Sequence, residues 1–107
     1  MENDLVNKTE NDFESIKHVD ENEVEFWYAR ELMTMLEYSK WGNFVKVIEK
    51  AKESCKNSNI NIFEHFADVG KTIKMPKGAE KVINDFKLTR YACYLIAQNG
   101  DSRKKAI

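Results

Sequence analysis

The chain has 107 residues, of which 42% are hydrophobic and 33% charged, and a formal net charge of −1. That length suits one domain with a core of its own. No apolar run approaches the ~20 residues of a membrane span, and the first residues carry no apolar core of a secretory signal.

The small net charge conceals a division. Residues 1–39 hold three bases and eleven acids, a net of −8, whereas residues 40–107 hold fourteen bases and seven acids, a net of +7. Such asymmetry fits a polyanionic partner for the basic part, and it equally fits an acidic arm that complements a basic body. Residues 1–14 are polar and acidic and read as a disordered tail, leaving residues 15–107 as the folded domain. Ile16 to Val19 and Val24 to Trp27 are short, partly alternating runs around Asp20-Glu21-Asn22-Glu23, the pattern of a β-hairpin and its tip.

Two amphipathic helices follow. Ala29, Leu32, Met33 and Leu36 form one apolar stripe, and Trp41, Phe44, Val45, Ile48, Ala51 and Cys55 a second, with Ser39 expected as the second N-cap. Asn57-Ser58-Asn59 ends the second helix, and Asn61 to Phe66 allows one more helical turn. Phe66 to Met75 and Val82 to Lys87 read as strands around Pro76-Lys77-Gly78, in which proline presets one φ and glycine accepts a positive one. Thr89 is expected to cap a helix over Arg90 to Gln98, with Gly100 as a left-handed stop. Asp101 to Ile107 resembles a helix start cut short, so the domain reads as truncated at its C-terminal end. The sum is an α+β fold: a small single domain of two short β-hairpins packed on three to four helices, two of which form a helix-turn-helix-like pair.

Catalytic patterns are missing. No Ser, His and Asp set stands in a recognisable context, and there is no paired-histidine motif, GxGxxG or P-loop. His65 with Asp68 suits local hydrogen bonding, and no catalytic residue is assigned. Cys55 and Cys93 sit inside apolar helical patterns as buried free thiols, and with His18 and His65 in no ligand spacing neither a metal nor a cofactor is expected. Trp27, Trp41, Tyr91 and Tyr94 fall on or beside apolar stripes and read as core.

Two surfaces remain for a polyanion. Opposite its apolar stripe the second helix carries Lys40, Asn43, Lys46 and Lys50, residue types that read base edges and phosphates, although Glu49 and Glu53 share that side. The second hairpin carries Lys71, Lys74, Lys77 and Lys81, and a two-stranded ribbon also enters a major groove. Lysines on a ribbon equally discourage edge-to-edge association.

The stretches HVDENEVEFWYAREL, YSKWGNFVKVIEKAKESCKNS, HFADVGK and DFKLTRYACYLIAQNGD resemble the bacterial DNA-damage-inducible D proteins. The N-terminal part of that family is similar to the Bro-N domain of phage antirepressors and baculovirus repeated-ORF proteins. The resemblance runs from about Phe13 to Ile107. It implies a cytoplasmic, non-enzymatic α+β domain that binds DNA, linked to the SOS response, in a protein that continues through further helices. It leaves open a module that acts on a DNA-bound recombinase or repressor without touching DNA, and the acidic tail would suit that role. Where the family usually has Gly after Leu36 this chain has Glu37, where a small capping residue precedes Ala29 it has Tyr28, and where Glu opens the second helix it has Gly42.

Overall fold

A computed structural model describes residues 12–101. Residues 12–15 are helical and lead into β1 (His18–Val19) and β2 (Glu25–Tyr28), an antiparallel pair with His18 opposite Phe26. Asp20 organises the tip, its Oδ1 accepting from the amides of Asn22 at 2.8 Å and Val24 at 3.0 Å. Then come α1 (Ala29–Met35), α2 (Trp41–Asn57) and a 3₁₀ turn at Ile62–Glu64. β3 (Phe66–Lys74), β4 (Glu80–Leu88) and α3 (Arg90–Asn99) complete the described chain. The fold is α+β, and the two hairpins are one sheet of order β1-β2-β4-β3, joined where Trp27 pairs with Leu88 and Tyr28 with Lys87.

The core lies on the Trp27, Phe66, Phe86 and Leu88 side of the sheet. Leu32 and Leu36 from the α1 region, Phe44, Ile48, Ala51 and Cys55 from α2, and Ala92, Cys93 and Ile96 from α3 fill it. Both helical stripes therefore do what their spacing requires, with Met35 buried where Met33 is only half-buried. The helix-turn-helix-like pair is not self-contained, however, because α2 rests chiefly on α3 while α1 packs on β4.

Of the acidic tail expected over residues 1–14, residues 1–11 lie outside the described residues, and Phe13 belongs to the core at 2% exposure. Its ring stacks on Trp27 at 4.5 Å, and Trp27 Nε1 donates to its carbonyl at 2.9 Å. The expected helix start after Asp101 also falls outside the described residues.

Helix ends depart from the sequence-based expectations in instructive ways. Lys40, not Ser39, holds the N-cap position of α2, and its side chain makes no cap hydrogen bond. Packing fixes that start instead: Trp41, the first helical residue, lies 6.3 Å from Phe44 and 6.2 Å from Phe86, ring to ring. Tyr28 cannot cap α1, and Asp85 does so from β4, 55 residues along the chain, its Oδ1 accepting from Arg30 N at 3.1 Å. Glu37 keeps the left-handed turn after Leu36 at φ 66°, with Tyr38 N donating to Met33 O and Glu37 N to Thr34 O, both at 3.0 Å. A glycine there would spare about 1 kcal/mol of backbone strain. Asn59 repeats the device after α2 at φ 60°. Thr89 caps α3 as expected, accepting from Ala92 N at 3.2 Å. Gly100 is not left-handed; its φ is −89°.

Candidate nucleic-acid interface

β3 and β4 are nine-residue strands that pair along their whole length, from Phe66 with Leu88 to Lys74 with Glu80. Val69, Thr72, Ile73, Val82 and Ile83 supply the β-branched side chains that favour this pairing. The turn holds two left-handed residues, Lys77 at φ 68° and Gly78 at φ 81°, and Met75 N donates to Ala79 O at 2.7 Å. The glycine was legible as the positive-φ residue; the lysine was not.

Only the base of this hairpin is buried in the core, although Asn84 O accepts from Arg30 Nε and Lys71 lines a groove beside α1. Phe66, Asp85, Phe86 and Leu88 are buried, whereas residues 70–84 are exposed apart from half-buried Ile73 and Ile83. The distal hairpin is a free ribbon. It carries Lys71, Lys74, Lys77 and Lys81 against Glu80 alone, a net of +3 within residues 70–84. Strand alternation sorts them. Lys71 lies opposite Ile83 and Lys81 opposite Ile73, which makes the two lysines diagonal neighbours on one face, with Lys87 further along it. Such diagonal neighbours lie ~7–8 Å apart, their Cβ atoms somewhat closer, about the spacing of successive phosphates. Lys74 is on the other face, opposite Glu80, and Lys77 is at the tip. The first face also bears exposed apolar surface at its edge, since Met75 is 40% exposed.

The residues expected on α2 are arranged otherwise. Lys40, Asn43, Lys46 and Lys50 are all exposed. At ~100° per residue, Lys46 and Lys50 lie roughly opposite the buried row of Phe44, Ile48, Ala51 and Cys55. Trp41 and Lys52 face β4, since Trp41 packs on Phe86 and the Lys52 ammonium stands 4.7 Å over the same ring. Glu49 and Glu53 fall between that side and the two lysines, and Glu49 pairs with Lys52 at 3.6 Å. The fold therefore carries the four hairpin lysines on one ribbon, and Glu49 and Glu53 stand between the β4 side of α2 and its Lys46 and Lys50.

One basic residue escapes any reading of the sequence. Arg30, the second residue of α1, sits over Trp41 with its guanidinium carbon 4.0 Å from the ring centroid, and its Nε donates to Asn84 O of β4 at 2.7 Å. No periodicity or motif reveals this, because the three residues come from three elements.

The histidines serve structure. His65 Nδ1 meets Thr89 Oγ1 at 2.7 Å rather than Asp68, and His18 Nε2 meets Glu31 Oε1 at 2.6 Å. Cys55 and Cys93 are buried free thiols, and burial raises the pKa of both. Trp27 is fully buried, Trp41 and Tyr91 half-buried, and Tyr94 39% exposed. Among the described residues no helix is long and apolar enough to cross a membrane.

The chain is 40% identical over 102 residues to the DNA damage-inducible protein D of Escherichia coli (strain K12), a match covering 95% of the chain. It spans only 37% of that relative's length. No solved structure matches the chain. The profile described as "BRO family, N-terminal domain" matches residues 15–107, and the chain belongs to that family.

Proposed function

We propose that the chain is a non-enzymatic DNA-binding domain of a cytoplasmic protein of the DNA-damage (SOS) response, and that the distal β3–β4 hairpin is its principal contact. The observation that carries the reading is the free ribbon, with Lys71, Lys74, Lys77 and Lys81 exposed on a segment that does little for the core. A two-stranded ribbon fits the major groove of B-form DNA, and lysines along it meet phosphates on either wall. Family membership and the name of the 40% identical relative support the link to DNA damage.

The lysines of α2 are secondary in this reading. Glu49 and Glu53 beside Lys46 and Lys50 would stand near phosphates if that helix entered a groove. The other reading, a module acting on a recombinase or repressor without DNA contact, draws on the acidic residues before Phe13.

Fluorescence anisotropy with a labelled duplex at low salt tests the proposal. Lys77→Gln with Lys81→Gln should lower the slope of log K against log salt by about two units, one for each phosphate no longer neutralised. Lys46→Gln with Lys50→Gln should leave the slope close to that of the unaltered chain. The reverse pattern would move the interface to α2. Binding no tighter than millimolar would favour the DNA-free reading, in which removing residues 1–11 weakens capture of a basic protein partner.

A further inference from the structure

We propose that Arg30 is a pre-positioned clamp for a DNA backbone phosphate, working with Lys71 across the groove between α1 and β3; the proposal rests on the hairpin reading above and adds a second anchoring point at the hairpin's base. The two arginines of the described chain differ in how their nitrogens are used. All three side-chain nitrogens of Arg90 are taken by carboxylates, Nε and Nη2 by Glu25 at 2.8 and 3.0 Å and Nη1 by Glu14 at 2.7 Å. Arg90 is a structural tie, each of its nitrogens engaged by a carboxylate.

Arg30 is held just as firmly but by different atoms. The Trp41 ring lies 4.0 Å from the guanidinium carbon and Asn84 O takes only Nε; among the described residues no acceptor meets Nη1 or Nη2. Its side chain forms no ion pair there either. The Asp85 carboxylate meets Arg30 only at the backbone, its Oδ1 committed to the amides of Arg30 and Phe86 at 3.1 and 2.8 Å. The remaining guanidinium edge is a planar pair of donors, a geometry that matches two oxygens of a phosphate. Rotamer freedom, the usual entropic cost of ordering a long side chain on binding, is already spent in the free protein.

The surroundings fit a backbone phosphate better than an isolated anion. Arg30 and Lys71 line one open groove of about 430 Å³, together with Thr34 and the apolar Ile16 and Met33. Glu31 lines it too, but its Oε1 is engaged by His18 Nε2 at 2.6 Å. A strand of DNA lying along the ribbon from Lys77 through Lys81 to Lys71 would reach Arg30 at the hairpin's base. The guanidinium would hold one phosphate bidentately while the lysines act as point charges on its neighbours.

Two variants and one spectrum test this. In duplex anisotropy, Arg30→Gln should weaken binding about tenfold and reduce the salt slope by about one unit. Arg30→Lys should keep the slope, since the charge remains, yet bind several-fold more weakly, since an ammonium lacks the stacked fork. In a ¹⁵N spectrum of the unaltered chain, the Arg30 Nε–Hε resonance should shift at the same DNA ratio as the hairpin amides. A stationary resonance, or Arg30→Gln binding like the unaltered chain while Lys77→Gln with Lys81→Gln is weakened, would overturn the clamp and leave the hairpin reading intact. Absence of duplex binding by the unaltered chain would remove both.

Discussion

Gly100 illustrates how a single residue can be legible in type and not in role. After Asn99 a glycine reads as the left-handed stop of a helix, yet its φ of −89° is open to any residue. What it permits is close approach: a Cβ there would lie 2.5 Å from the Tyr38 hydroxyl and 3.3 Å from Ile96 O. That hydroxyl accepts from Asp101 N at 2.8 Å, so the end of α3 is fastened to the α1–α2 connection. Gly100→Ala should therefore cost about 1–3 kcal/mol by urea unfolding, and less when introduced into Tyr38→Phe, where the clashing oxygen is gone. Equal costs in both backgrounds would point to backbone conformation instead. Positions 38 and 100 are too far apart in sequence for any local pattern to connect them. The placement of Arg30 is illegible in sequence for the same reason, since its contact with Trp41 and its bond to Asn84 exist only once α1, α2 and β4 have met.

Among the elements, those with strong periodicity were readable and those defined by partners were not. α2 and α3 follow from their apolar stripes, and the hairpin follows from two β-branched runs around Pro76-Lys77-Gly78. The joining of the hairpins into one sheet through Trp27 and Leu88 is a long-range pairing that neither run announces. α1 is the weakest element by local criteria: seven residues, no side-chain cap from Tyr28 and no base in its last turn. Its N-terminus depends on Asp85, a 1% exposed carboxylate whose Oδ2 has no partner among the described residues. Asp85→Ala should destabilise the protein by about 1–3 kcal/mol and speed hydrogen exchange most at the first amides of α1. Asp85→Asn keeps an acceptor for Arg30 N and should be the milder change. Uniform exchange acceleration across α2 and α3 would instead mean that Asp85 supports the whole core rather than one helix end.

At the level of the whole molecule the charge division has two separate consequences. Part of the acidic side is intramolecular: the side-chain hydrogen bonds from Arg90 hold both Glu14 and Glu25 below the ordinary carboxylate pKa. Because these pKa values fall on folding, the pair stabilises the protein above the ordinary glutamate range, and that contribution disappears as pH drops through the lowered values. Thermal unfolding between pH 6 and 3 should show a decline that Glu25→Gln flattens. The effect should be modest, since both carboxylates are more than one-third exposed and screened by solvent; an unchanged pH profile in Glu25→Gln would dismiss the tie. The basic side is shared between the α2 region and the β3–β4 hairpin, and the function proposed above assigns the hairpin's share to a partner. The hairpin's lysines are visible in sequence, as are those of α2 and the carboxylates Glu49 and Glu53 beside them, but the exposed ribbon that turns the choice toward the hairpin in the proposed reading exists only in the fold. An amide-resolved ¹⁵N titration of the chain with a DNA duplex at low salt tests that choice most directly. The account predicts shifts over residues 71–81, joined by the Arg30 side chain, with Lys46, Lys50 and Glu53 unmoved. Shifts centred on the outer face of α2, or none anywhere, would contradict it.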